Sequence, residues 1–182
     1  MAEQQAAFQA LVDLAHRSRR TAKGLPAQVD IKPHWSGIGF SLLGRHFVVP
    51  MGEVSEMLEV PHFTRLPGVQ PWVKGVANVR GRLLPLMDMG LFFGQRLTGH
   101  RKTQRVLILE TESLYSGLMV DQVFGMQHFP MDTYKPAPDT EDAQLQALVS
   151  GSYELDGKPW SVFSLAALAE NPRFVNAAQS NL

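Results

Sequence analysis

The 182-residue sequence predicts an all-β fold of the barrel class. About ten short apolar runs follow one another between residues 36 and 163, and glycine, proline, aspartate or serine interrupts them at the spacing of β-turns. A long stretch of helical apolar spacing occurs only at the N-terminus. Because long helices do not alternate with the strands, a β-barrel architecture is favoured over an α/β fold.

The first predicted element is an amphipathic helix from Ala2 to Arg17, in which Phe8, Leu11 and Val12 recur at helical spacing. A basic run, RSRRTAKG, follows. Basic side chains beside a helix C-terminus make favourable contacts with the helix dipole, so this run indicates helix stabilisation and solubility rather than a nucleic-acid or lipid site. Residues 25–35 contain two prolines and predict a linker.

The strands are predicted from short apolar runs bounded by turn residues, with glycines after the first two and Asp156-Gly157 as a two-residue hairpin turn in the last pair. A closing helix, Leu165–Glu170, is capped by Ser164 and ended by Pro172. The predicted strands are Ile38–Leu43, Arg45–Pro50, Val54–Val60, Val73–Val79, Leu83–Met87, Val106–Leu109, Leu114–Val120, Val123–Phe129, Val149–Leu155 and Lys158–Phe163.

The central stretch, residues 66–94, is the most informative part of the chain. Arg80 and Gly81 lie at a predicted tight reversal between two strands, where glycine takes a positive φ at little steric cost. Pro85 predicts an edge or bulge position, because proline cannot donate to a strand ladder. Asp88 is a predicted N-cap of a short helix over residues 89–93.

The string GVANVRGRLLPLMDM resembles the signature of the CheW-like adaptors of bacterial chemosensory arrays, approximately GxxNxRGxxxPxxDL. The matching residues are Gly75, Asn78, Arg80, Gly81, Pro85 and Asp88. GLMVDQV, residues 117–123, resembles the second recurrent motif of the family, and Val54, Glu56 and Met57 match an x-V-x-E-[IML] pattern. Within the family the sequence is most similar to the adaptors of type IV pilus (twitching) systems.

The resemblance implies two five-stranded SH3-like barrels packed together, with an N-terminal helix and a short C-terminal helix. It divides the chain into a helix and linker (1–35), a CheW-like domain of two intertwined β-barrel subdomains (36–170) and a C-terminal tail (171–182). It implies a non-enzymatic adaptor that couples methyl-accepting chemoreceptors to the regulatory domain of a CheA-like histidine kinase. Such an adaptor is expected in the cytoplasm, recruited to membrane-associated receptor arrays without inserting into the membrane.

The resemblance also implies site residues. Those expected to contact receptor or kinase are Val54, Glu56, Gly75, Arg80, Val106 and Gly117. Arg80 is expected in a groove between the barrels, with Gly75 allowing a receptor helix to approach closely. Since Glu56 belongs to another hairpin, kinase and receptor contacts are expected on separable surfaces. Residues expected to be structural are Asn78, Gly81, Pro85, Asp88 and Asp121.

The residue types and their positions independently support part of this division into contact residues and structural residues. Asn78 is expected to be a buried hydrogen-bonding residue that holds the following turn. Nothing in turn geometry requires a guanidinium at Arg80, whose five fixed donors favour recognition. Asp121 is expected to accept backbone N–H bonds at a strand bend. Trp72 is interpreted as part of a loop that covers a barrel end rather than as an interface anchor.

The net charge of zero conceals a segregation along the chain. Residues 65–105 carry eight basic side chains against Asp88 alone, whereas residues 106–182 carry three basic and ten acidic side chains. A basic middle segment and an acidic end favour docking through complementary potentials, either with a partner or between copies. The alternative is that both signs are solvated and cancel in space.

An enzyme would need a constellation of reactive groups, and none is evident in the sequence. The chain has no cysteine, and its six histidines are scattered without metal-ligand spacing. Glu110 and Glu112 alternate as a carboxylate pair would, but they resemble an exposed strand end. No cofactor is expected. The alternatives to an adaptor are a small-molecule-binding barrel and a nucleic-acid module, the latter disfavoured because stacking aromatics are missing from the basic segment.

Overall fold

The structure, a computed structural model, describes residues 2–21, 33–111, 114–137 and 142–177. The contacts divide the chain into two units, residues 1–31 and residues 32–182. The first unit contains helix α1, Ala2–Thr21, which extends four residues beyond the predicted end and includes part of the basic run. Most of the predicted linker, and residues 112 and 113, lie outside the described residues.

The second unit contains ten strands and four short helices among its described residues. The strands are β1 His34–Leu42, β2 Arg45–Pro50, β3 Val54–Glu59, β4 Val73–Val79, β5 Arg82–Asp88, β6 Arg105–Glu110, β7 Tyr115–Val120, β8 Gln122–Pro130, β9 Val149–Leu155 and β10 Lys158–Phe163. The helices are α2 Met89–Phe92, α3 Ala143–Gln146, α4 Leu165–Glu170 and α5 Pro172–Val175. A single 3-10 turn covers Met131–Thr133.

The strands form two five-stranded sheets of matching topology. Sheet A has the order β8-β1-β2-β10-β9, and sheet B has the order β3-β6-β7-β5-β4. Each sheet contains two antiparallel hairpins joined by a short parallel pairing, β2 with β10 and β5 with β7. The strand that follows the β1–β2 hairpin and the strand that follows the β6–β7 hairpin each cross to the other sheet, so that β3 joins sheet B and β8 joins sheet A. The two sheets are therefore intertwined.

Each sheet is almost closed by one isolated bridge. In sheet B, Thr64 follows edge strand β3 and bridges to Val76 of the opposite edge strand. In sheet A, Lys135 follows β8 and bridges to Ser152 of β9. The predicted all-β fold with two five-stranded units is confirmed, but within the described chain the sheets stop short of closed barrels, because each seam carries a single bridge instead of a full strand ladder.

A shared apolar core joins the two sheets, and Trp72 lies within it. The Trp72 side chain is 2% exposed, stacks on Phe174 with the ring planes 11° apart, and meets Phe92 edge to face. Both phenylalanines come from short helices, α5 and α2. The prediction that Trp72 is not an interface anchor is therefore confirmed: its ring is buried in the core, which is the usual way such a large ring stabilises a fold.

The predicted strands all occur, with small shifts at their ends. Strand β1 begins at His34, earlier than predicted, because its first residues pair with the end of β8. Pro85 lies in β5, which is an interior strand of sheet B and not an edge strand. The strand tolerates a residue without an N–H group there, because β5 begins to pair with β7 only at the next residue, Leu86. Helices α3 and α5 were not predicted, because their few residues carry little periodicity.

Candidate functional site

The turn between β4 and β5 carries the most exposed of the predicted contact residues. Arg80 and Gly81 both have positive φ, 51° and 80°, which is the conformation of a two-residue type I′ hairpin turn. The Asn78 Oδ1 atom accepts the Gly81 N–H at 2.9 Å, so the predicted turn-holding role is confirmed. Asn78 is exposed rather than buried, because it lies on the solvent side of the strand end.

Arg80 reaches from this turn to Glu56 of β3. The guanidinium lies 2.7 Å from Glu56 Oε1, and the two side chains are 79% and 31% exposed. Strands β3 and β4 are the outer strands of sheet B, so this ion pair spans the seam between its edges. Substituting either residue leaves the other without its partner. The expectation that Glu56 and Arg80 belong to independent surfaces is therefore wrong.

A second ion pair lies on the same hairpin and was missed in the sequence. The Arg82 guanidinium donates to Glu110 Oε1 at 2.7 Å and lies 3.9 Å from the centre of the Tyr115 ring. The hydrogen bond to Glu110 raises the pKa of Arg82. Leu83, the next residue, is 68% exposed. Two arginines on either side of Gly81 were the signal in the sequence that could have indicated these ion pairs. Their acidic partners could not be identified, because they lie on other strands.

The packing of the backbone around Thr64 requires a glycine at position 75. It has a φ of +141° at a bulge in β4, and a Cβ atom there would collide with the Thr64 carbonyl. Thr64 exchanges backbone hydrogen bonds of 2.8 and 2.9 Å with Val76, which closes the seam of sheet B. Gly75 is buried, so the expectation that it admits a receptor helix is wrong: its missing side chain accommodates the Thr64 backbone.

Two of the other three predicted contact residues also face inward. Val106 is completely buried in the core of sheet B, and a Cβ atom on Gly117 would lie 2.7 Å from its Cγ1 atom. Val54 is partly buried and packs against the shared core. The prediction that Val106 and Gly117 line a surface groove is wrong, because β6 and β7 are buried on both faces. Val54 keeps part of its surface exposed, and its contact with a partner stays a prediction.

The cleft between the two sheets has a different lining. Met57, Leu58 and Glu59 of β3 face residues 123–125 of β8 across a cleft of about 590 Å³. Arg105 also lines the cleft and lies 3.7 Å from Glu59. Met57 is 43% exposed. Apolar side chains with one ion pair at the wall are suited to contact with a partner protein, and methionine adapts readily to the shape of such a partner.

The two aspartates of the family motifs, Asp88 and Asp121, are structural, as predicted. Asp88 caps α2, its Oδ1 atom accepting the Leu91 N–H at 3.0 Å, and its Oδ2 atom lies 3.5 Å from Lys74. Asp121 is 3% exposed and lies between β7 and β8. Its carboxylate accepts the N–H groups of Leu43 and Gly99, each at 2.7 Å, as well as the Thr98 hydroxyl at 2.9 Å.

The described residues give no support for a metal site or for a pair of free carboxylates at Glu110. No group of three potential ligands among them is close enough to hold a metal ion. Glu110 is committed to Arg82, and Glu112 lies outside the described residues. No helix in the described part of the chain combines the length and apolarity needed to cross a membrane. What the surface offers is paired charges, an apolar cleft and basic side chains, which are means of recognition.

Comparison with known proteins decides the family. The sequence profile of the CheW-like domain matches residues 36–173. The chain belongs to the CheW-like family. This assignment agrees with the intertwined sheets and with the two motifs around Arg80 and Asp121.

Several CheW-like relatives place the chain within this family. Protein PilI of Pseudomonas aeruginosa is 52% identical over 178 residues, which cover 98% of this chain and 99% of PilI. Chemotaxis protein CheW of Helicobacter pylori is 26% identical and covers 71% of this chain and 78% of its own. The crystal structure of the scaffolding protein TtCheW from Thermoanaerobacter tengcongensis aligns with a TM-score of 0.63 and 25% identity, covering 73% of this chain and 90% of its own. The chain is thus a CheW-like scaffold of a chemotaxis-like signalling system, similar to PilI along nearly its whole length.

Proposed function

We propose that this protein is a cytoplasmic, non-enzymatic adaptor that couples methyl-accepting chemoreceptors to a CheA-type histidine kinase, and that the system controls type IV pilus twitching. The similarity to PilI along nearly the full chain supports the pilus assignment. The structural similarity to TtCheW, a scaffolding protein, supports the adaptor role. Recruitment to receptor arrays follows from binding to the receptor rather than from a membrane anchor.

The observation that carries this proposal is the exposed arginine in the β4–β5 turn. A type I′ turn favours asparagine, aspartate or glycine at its first central position, because a positive φ strains other side chains. The corresponding turn of sheet A uses Asp156-Gly157 with φ values of 52° and 69°. The turn backbone therefore does not select Arg80. An arginine that occupies an unfavourable turn position and whose side chain is 79% exposed is suited to recognition.

The proposed receptor contact is the face formed by Arg80, Glu56 and the exposed Leu83. An arginine held by a carboxylate is pre-organised, so that it presents its remaining donors to a partner at reduced entropic cost. The exposed leucine adds apolar area beside the charge. Charge and apolar contact are then available on the β4–β5 hairpin, and Glu56 of β3 orients the charge.

Substitutions at Arg80 separate recognition from turn stability. Arg80→Asn suits the turn conformation, so we expect its free energy of unfolding to stay within about 1 kcal/mol of the parent. Binding to a purified receptor-tip fragment, measured by titration calorimetry, should weaken at least about tenfold, as should binding by Arg80→Glu. Arg45→Glu, on another hairpin of the same unit, is the matched charge-reversal control. Receptor binding by Arg80→Asn at parental affinity would refute this assignment of the receptor contact.

The cleft between β3 and β8 is the second candidate surface, favoured by its apolar lining and the exposed Met57. Met57→Glu places a charge at the cleft without removing a buried core side chain. We propose that the cleft binds the kinase regulatory domain, and so Met57→Glu should weaken kinase binding and spare receptor binding. Parallel loss of both partners in Met57→Glu and Arg80→Asn would replace the two-surface arrangement by one shared site.

A further inference from the structure

A basic cleft opens on sheet B, and neither Arg80 nor Arg82 is among its lining residues. It has a volume of about 510 Å³, and we refer to it as the basic cleft. Its cations come from three separate segments: the loop before β4, the β4 bulge and the loop after α2. The lining residues used below are Arg65, Lys74, Asp88, Arg96, Leu97 and Arg101.

The cations of the basic cleft are largely uncompensated. Asp88 is the one carboxylate among the described lining residues, against Arg65, Lys74, Arg96 and Arg101, which leaves a net charge of +3. Asp88 is already engaged by Lys74 at 3.5 Å and by the cap of α2. No ion pair with a described residue is formed by the three arginines, all of which are exposed. An uncompensated cationic cleft concentrates anionic groups.

Apart from Gln104, the rest of the lining is apolar. Val60, Phe63, Leu91, Leu97 and Met119 contribute to it, and Met119 is 5% exposed. A small inorganic anion would make no use of these side chains. A ligand that combines carboxylates with one apolar side chain would satisfy both parts, since the apolar group leaves water while the carboxylates meet the arginines.

The loop that carries Arg96 and Arg101 is held in place. Asp121 accepts the Gly99 N–H at 2.7 Å, and the Gln104 amide donates to the Gly99 carbonyl at 3.0 Å. The Gln95 N–H donates to the Gly90 carbonyl at 2.8 Å at the start of the loop. The two arginines are thus displayed on an anchored segment, which lowers the entropic cost of binding a partner.

We propose that the basic cleft is a docking site for an acidic segment of a partner protein that inserts one apolar side chain between Arg65, Arg96 and Arg101. An acidic peptide fits better than a nucleic acid, because the described lining contains one aromatic ring, Phe63, and base stacking relies on several. This proposal is independent of the receptor and kinase assignments above, since it uses neither Arg80 nor the cleft between the sheets.

The test uses the full-length protein and a fluorescein-labelled peptide in which a central leucine is flanked on both sides by three glutamates. Binding is measured by fluorescence anisotropy at two salt concentrations, with a leucine-to-glycine peptide, inorganic phosphate and a single-stranded RNA as competitors. We expect the leucine peptide to bind in a salt-dependent manner and the glycine peptide to bind at least about tenfold more weakly.

Arg101→Glu and Lys102→Glu form the matched pair of variants. They are adjacent exposed cations with the same charge change, but only Arg101 lines the basic cleft. Arg101→Glu should weaken peptide binding about tenfold or more, whereas Lys102→Glu should weaken it less than about threefold. Circular dichroism melting of both variants checks that the fold is retained, and Arg96→Glu provides an independent second reversal.

Four results would overturn the proposal. Equal weakening by Arg101→Glu and Lys102→Glu would show non-specific attraction to a basic surface. Equal binding of the leucine and glycine peptides, or displacement of the peptide by millimolar phosphate, would show a simple anion site without use of the apolar lining. Tighter binding of the RNA than of the leucine peptide would assign the basic cleft to nucleic acid.

Discussion

Asp121 is expected to be one of the costliest polar residues to remove. Its buried carboxylate accepts three hydrogen bonds of 2.7 to 2.9 Å, from the β1–β2 turn at Leu43 and from Thr98 and Gly99. Asp121→Ala leaves two backbone N–H groups without their acceptor. A hydrogen bond to a charged group contributes about 1.5 to 3 kcal/mol, and water can replace part of the loss at these partly buried donors. We expect a destabilisation of about 3 kcal/mol.

The measurement is urea unfolding followed by tryptophan fluorescence, with the slope of the transition compared between variants. A loss of about 3 kcal/mol corresponds to a lowering of Tm by roughly 6 to 12 °C for a domain of this size. Asp121→Asn keeps one carbonyl acceptor and should lose less than Asp121→Ala.

Glu59→Ala is the control, because it removes an exposed carboxylate that makes one ion pair of 3.7 Å. Its effect should stay below about 1 kcal/mol. If Asp121→Ala unfolded at the same urea concentration as the parent, the carboxylate would not be holding these loops together. A loss equal to that of Glu59→Ala would lead to the same conclusion.

Three further predictions concern backbone fit and titration. Gly75→Ala should destabilise the protein by about 2 to 4 kcal/mol in urea unfolding, because the added methyl group meets the Thr64 carbonyl. Gly81→Ala is the control: its Cβ has open space around it, so it should lose about 1 kcal/mol from its positive φ alone, and equal losses in the two variants would disprove the clash. Burial, with a smaller contribution from Lys158, lowers the pKa of His46 below 6.5 in the folded protein. The unfolded chain therefore binds the proton more readily, and the free energy of unfolding should fall as the pH decreases from 6.5 towards the folded pKa. His46→Gln should remove this pH dependence of stability, and an unchanged pH profile in the variant would contradict the prediction. Burial also raises the pKa of Glu53 above 4.5, despite a backbone hydrogen bond from Leu165, so the contribution of Glu53 to stability is present below pH 4.5 and lost as the pH rises. The stability of Glu53→Gln relative to the parent should therefore be higher at about pH 7 than at about pH 4, as urea titrations at the two pH values would show.

Features that depend on neighbouring residues were predictable from the sequence. Asp88 and Ser164 cap their helices as expected, accepting the N–H groups three residues further along. The Asp156-Gly157 turn joins β9 and β10 in the predicted register. Such interactions close within one turn of the chain, so the residue types and their spacing are sufficient to identify them.

Side-chain direction was predicted less well, because it depends on which face of a strand meets the core. Val106 and Gly117 were expected to contact partners, yet they face inward. Gly75 was expected to admit a receptor helix and instead admits Thr64. A strand buried on both sides shows no polar alternation, and a glycine in a sequence does not reveal which backbone approaches it.

The sequence by itself determined the strand and turn pattern, the helix caps, the CheW-like motifs and the segregation of charge. The tertiary structure alone decided that the two halves exchange strands, that Arg80 pairs with Glu56 across 24 residues of chain, and that four cations of the basic segment line one cleft. The reason is that helix caps, turns and strand alternation depend on interactions between residues that are close together in the sequence. Strand exchange, ion pairing and clefts arise from contacts between distant segments, which form only when the shared core brings those segments together.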